Sequence, residues 1–115
     1  MTNAATGVDR REHGEASVMT VYAIVQLKMT DRAAYDRYQA RFFDVFKKFG
    51  GRLLSADEHP AVVEGSWDRD KVVLMSFPDE AAFGAFANSP DYLEIAKDRK
   101  AGAEAVVLLA KGFGP

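Results

Sequence analysis

The chain has 115 residues, 48% of them apolar and 28% charged, with a formal net charge of -2, which fits one domain around one core and excludes a disordered polymer. It contains no Cys, so disulfides, zinc-thiolate sites, iron-sulfur clusters and thiol nucleophiles are excluded. Acidic and basic residues alternate without a basic stripe that would neutralise a run of phosphates, so nucleic acid is not an expected partner.

Residues 1–18 are small, polar or charged and follow no period of 2 or 3.6, so a flexible tail is expected there and a single domain over 19–115. The tail has no apolar segment of the kind a secretory signal carries, and Met19, directly before the first apolar run, is a candidate start. The longest apolar run, Ala105 to Ala110, is too short to span a bilayer. No membrane association is expected, and the cytoplasm is the expected location.

"MTVYAIVQLKM" alternates, with Val21, Ala23, Val25 and Leu27 on one side and Tyr22, Ile24, Gln26 and Lys28 on the other, which predicts a strand. A long helix follows: Tyr35, Tyr38, Phe42, Val45, Phe46 and Phe49 recur at helical spacing, Asp31 is placed to cap it, and Gly50 to end it in the left-handed region. "RLLSA" predicts a second strand, "DEHP" interrupts it, and "AVVEGSW" resumes extended structure. Lys71 to Phe77 is the next strand, with Val72, Leu74 and Ser76 on one face and Val73, Met75 and Phe77 on the other.

Asp79 begins a short helix ending near Asn88. Ser89 then caps another, with Pro90 at its first position, that carries Tyr92, Ile95, Ala96 and Arg99 along one stripe. Glu104 to Lys111 is the last strand. The order βαββαβ predicts an α+β, ferredoxin-like fold with a four-stranded antiparallel sheet and helices on one face. Because both faces of the strands are rich in apolar residues, the uncovered face predicts a homodimer that closes two sheets on each other.

Taken in order, "GGRLL", "VVEGSW", "VVLMSFP", "SPDY" and a later "DR" before a terminal apolar strand resemble the uncharacterised-domain family numbered 1330, within the dimeric alpha-beta barrel superfamily. The resemblance runs from about Val21 to Gly112. It implies a ferredoxin-like protomer and a homodimeric barrel, and supplies no substrate. The wider superfamily includes cofactor-free monooxygenases, haem-degrading enzymes, muconolactone-type isomerases and stress-related proteins, many with a pocket between helices and sheet. The family pattern falls on Gly50, Gly51, Glu64, Gly65, Trp67, Phe77, Pro78, Ser89, Pro90, Tyr92 and Arg99. It departs at Ser76 and Ala87, where many members carry a Glu and an aromatic, which puts any mechanism built on that carboxylate in doubt here.

Six residues are candidates for a site. His59 lies between Asp57-Glu58 and Pro60, either as a general base or as a solvated loop residue. Glu64 could face a pocket and move protons, or pair with Arg99 or Arg52. Trp67, with Tyr22, Tyr35, Tyr38 and Tyr92, could wall a site for a flat ligand, or these rings could be core and hairpin cover. Arg99 matches a carboxylate clamp or a structural tie. Ser89 reads first as a cap, and no Ser, His and Asp set at recognisable spacing is present. No metal site and no cofactor are expected, since a metal needs several convergent ligands and no Gly-rich phosphate loop occurs.

These readings combine into a homodimer that binds a small aromatic or acidic metabolite in a helix-sheet pocket. If it is catalytic, the chemistry is proton transfer, cofactor-free oxygenation or isomerisation, with Glu64 or His59 as base, Arg99 and Tyr92 at the ligand, and Trp67 as stacking wall. The alternative is a non-catalytic dimeric binding or interaction module, marked by a small pocket and a Glu64 to Arg99 ion pair.

Overall fold

The computed structural model describes residues 19–114. The expected flexible tail, 1–18, lies outside them. The elements run β1 (Val21–Met29), α1 (Arg32–Phe46) with a single 3-10 turn at Lys47–Phe49, β2 (Arg52–Asp57), β3 (Lys71–Phe77), α2 (Glu80–Ala87), α3 (Pro90–Gly102) and β4 (Ala103–Lys111). The strands form one antiparallel sheet in the order β2-β3-β1-β4. This is the ferredoxin-like α+β arrangement expected from the element order.

Local chemistry accounts for each boundary. The Asp31 and Asp79 carboxylates accept from the amides of Ala34 and Ala82, satisfying donors that the first turns of α1 and α2 leave unpaired. Gly50, at φ 75°, ends the turn after α1 in a conformation that disfavours a side chain. Ser89 caps α3, and Pro90 follows where a missing N–H costs nothing.

The expected extended segment at 61–67 is not a strand. Residues 58–70 form a loop, because Pro60 lacks a donor at its start and Gly65 turns the chain at φ 87°. Val62 and Val63 are exposed there, Val63 at 95%. Asp70 fastens the far end to β1: its carboxylate accepts from Met29 N at 2.7 Å and its amide donates to Leu27 O at 2.7 Å.

Strand alternation sorts the sheet into two faces. Val21, Ala23, Val25 and Leu27 pair in register with Phe77, Met75, Val73 and Lys71, and this face carries the helices. Phe46 of α1 meets both Phe77 of β3 and Phe86 of α2 edge to face, with ring centres 5.7 and 5.5 Å away. Each ring buried this way contributes roughly 1.5–3 kcal/mol. On the other face, Leu74, Ile24 and Leu108 form one cross-strand row and Val72, Gln26 and Val106 the next. Leu108 remains 50% exposed, so an apolar surface is left without a layer over it.

Candidate functional site

A cavity of about 390 Å³ lies between the helices and the covered face of the sheet. Two periodicities build it. Along β3 the period of two sends Lys71, Val73 and Met75 to the helix side, where all three line the cavity. Along α1, Tyr35, Tyr38, Gln39 and Phe42 recur at helical spacing and line it from above, as Tyr92, Ala96 and Arg99 do along α3. Phe83 and Phe86 of α2 close one side. Ala87 also lines the cavity, and its small side chain leaves open the volume that an aromatic there would fill.

The few polar groups in this wall are specifically arranged. The hydroxyls of Tyr38 and Tyr92 share a hydrogen bond of 3.1 Å. Lys71, only 5% exposed, donates from Nζ to Gln39 Oε1 and stands 4.9 Å from the centre of the Tyr35 ring. The nearest carboxylate, Glu58, is 4.0 Å from Nζ and is already held by a forked contact from Arg32, with N···O distances of 2.8 and 3.1 Å. Arg99 lines the cavity, and its Nε is buried without a hydrogen-bond partner among the described residues.

Burial dominates the titration of this wall. It pulls the Lys71 ammonium below its ordinary value, against the opposing attraction of Glu58. It also pushes the Tyr35 hydroxyl up to about 12 and holds that of Tyr38 well above the ordinary tyrosine range, where the neighbouring Tyr92 adds to the effect. Both tyrosines are therefore hydroxyl donors at neutral pH. The cationic lining residues are Lys71, Arg99 and Lys100, and no Asp or Glu lines the cavity among the described residues.

The six sequence candidates fall in different places. Tyr92 and Arg99 are brought together on the cavity wall. Ser89 lies beneath them as a cap, its Oγ accepting from Tyr92 N at 3.1 Å and donating to Phe86 O at 2.9 Å. His59 is exposed in the loop after β2, its amide donating to Asp57 Oδ1 at 2.8 Å. Glu64 is exposed beside Gly65 and makes no ion pair with Arg99 or Arg52 among the described residues. Trp67 donates from Nε1 to Gln26 Oε1 at 3.0 Å, and Gln26 belongs to the uncovered face, so the indole lies across the sheet from the cavity.

Lys71 and Gln39 are not among the sequence candidates. A legible signal existed for the lysine, which shares the alternation of Val73, Met75 and Phe77 and so had to point into the covered face. Gln39 carries no such mark, because its role depends on which strand residue lies below it.

The family model described as "Domain of unknown function (DUF1330)" matches residues 20–113. Among solved structures, a Rhodopseudomonas palustris protein of unknown function superposes with a TM-score of 0.72 at 22% identity, over 85% of each chain. SnoaB of Streptomyces nogalater, a cofactor-independent oxygenase, gives 0.58 at 17% identity over 84% of this chain and 96% of its own. A dimeric ferredoxin-like protein of unknown function from Thermobifida fusca gives 0.61 at 12% identity over 90% of this chain and 100% of its own. At these identities the likeness carries the fold. No curated protein matches the chain.

Proposed function

The chain belongs to the DUF1330 family, and from that footing we propose that it is a homodimeric, cytoplasmic protein that binds a small aromatic or acidic metabolite in the helix-sheet cavity. The observation that carries this reading is Arg99, a cavity-lining residue whose Nε is buried without a hydrogen-bond partner among the described residues. Buried polar atoms are nearly always hydrogen-bonded, and a guanidinium left short of partners in a wall with no carboxylate suits an anionic acceptor on a ligand. The aromatic body of the ligand is matched by the rings of Tyr35, Tyr38, Phe42, Phe86 and Tyr92. The volume falls within the ordinary range for small-molecule sites.

The features that would favour a non-catalytic module, a small pocket and a Glu64 to Arg99 pair, are not seen among the described residues. The homodimer is supported by the uncovered apolar rows of the sheet and by fold neighbours such as the dimeric Thermobifida fusca protein. The binding reading is tested by calorimetric titration with aromatic carboxylates and their neutral amides. Carboxylates should bind and amides should not. Arg99→Gln should weaken carboxylate binding by about 10- to 100-fold, the loss of one charge-assisted hydrogen bond. Equal affinity of wild type and Arg99→Gln for the carboxylate would refute the clamp.

A further inference from the structure

We propose that Lys71 is the proton acceptor of this cavity: its amine takes the proton of an acidic hydroxyl on a bound aromatic or enolic ligand and holds the resulting oxyanion. The proposal rests on the binding reading above and assigns the reactive end of that same site.

Three observations carry it. The first is placement: β3 aims Lys71 at the helix side, among residues that line the cavity, at 5% exposure. The second is orientation. Gln39 Oε1 accepts one N–H, and the Tyr35 ring flanks the amine at 4.9 Å, so Nζ is held rather than swinging free on its stem. The third is the want of any other base. The lining has no Asp, Glu or His among the described residues, Tyr35 and Tyr38 keep their protons, an arginine does not give one up, and Lys100 is exposed to water.

The charged groups that face the amine leave room for it to be neutral. Glu58, in the loop after β2, favours the ammonium but is 4.0 Å away and occupied by Arg32. Asp36 of α1 also favours it, and Arg32 of the same helix opposes it. Arg99 and Lys100 of α3 line the same cavity. Burial adds to the forces that release the proton, and a lysine in such a setting is the kind that serves as a general base.

The step is balanced. The ligand O–H bond breaks, its electron pair stays on oxygen, and a new N–H bond converts the amine to an ammonium. The product is an oxyanion facing an ammonium in a water-poor cavity, where their attraction is stronger than in water. No oxidant or reductant is needed.

A hydroxynaphthoate with its carboxylate and hydroxyl at opposite ends is the probe, since its ionised and neutral forms absorb at different wavelengths. Full-length protein is titrated with it at neutral pH, and the bound probe is then followed spectrophotometrically as pH is varied. The hydroxyl of the bound probe is expected to ionise at a pH at least two units lower than when free, about a 100-fold change in its ionisation constant. Lys71→Met and Lys71→Gln should both still bind through the carboxylate and lose the ionised band, with Lys71→Gln keeping the test open if the first variant folds poorly. A wild-type complex holding the neutral hydroxyl, or variants that keep the ionised band, would overturn the role of Lys71 and leave the binding reading intact. No binding by wild type would overturn both.

Discussion

Replacing Lys71 by Met tests whether the amine is held at a cost to stability. The residue is 5% exposed, and Met has a similar reach, so the change leaves little void. What is lost is the contact with the Tyr35 ring at 4.9 Å, worth about 0.5–2 kcal/mol, and the bond to Gln39, whose exposed amide turns to water instead. What is gained is relief from the cost of burying this group, whether it is desolvated as the ammonium or driven to the neutral amine, several kcal/mol on the scale of buried ions. Glu58 is not stranded, because its side chain is 33% exposed and keeps Arg32. The balance is a gain of about 1–2 kcal/mol at neutral pH, or roughly 5–15 °C in melting temperature for a domain of this size. The pH dependence carries the sign. Because the folded chain depresses the Lys71 pKa below 10.5, the unfolded chain binds the extra proton, and the wild type gains stability as pH rises through the interval between the two values. The advantage of Lys71→Met should therefore be largest below the depressed folded pKa and shrink as pH approaches 10.5, below the range in which Tyr35 ionises. Urea unfolding of both proteins across that range is the assay. A variant less stable than wild type by more than about 1 kcal/mol at neutral pH, or a gap that does not narrow with rising pH, would show that the amine is a favourably paired cation.

Other consequences are open to direct measurement. A Cβ on Gly102 would meet the backbone nitrogen of Tyr35 and come within 2.8 Å of Asp31 O, so Gly102→Ala should cost about 3 kcal/mol in urea unfolding, and a cost under 1 kcal/mol would contradict the close approach of α3 to α1. Ser89→Ala removes both the acceptor for Tyr92 N and the donor to Phe86 O, and should lower stability by about 1–2 kcal/mol; an unchanged melting temperature would argue against the cap. Leu108→Glu places a charge at the edge-strand end of the uncovered apolar rows and should convert a dimer to a monomer in light scattering at tens of micromolar, whereas a persistent dimer would move the interface elsewhere.

The fold was legible because each boundary depends on residues close in sequence. Asp31, Asp79 and Ser89 mark helix starts, Gly50 marks an end, and the alternation in β1 and β3 assigns two faces. The segment at 61–67 misled because an apolar run reports burial only when a neighbour is available, and Val63, at 95% exposure, has almost none on the described chain. Site placement was less legible for a related reason. Arg99 and Tyr92 share a helical stripe with Ile95, so the spacing that reveals a core also reveals the wall of a cavity. Trp67 and Glu64 lie in an irregular loop, where no period tells which side of the sheet a side chain reaches.

The indole of Trp67 has a practical consequence. It is the single tryptophan of the chain, and its bond to Gln26 places it on the opposite side of the sheet from the cavity. Its emission therefore reads solvent at the uncovered face, while tyrosine signals read the cavity. Diluting the protein should shift the tryptophan spectrum as that face is bared, and saturating the cavity with ligand should leave it in place. One cuvette then separates assembly from occupancy.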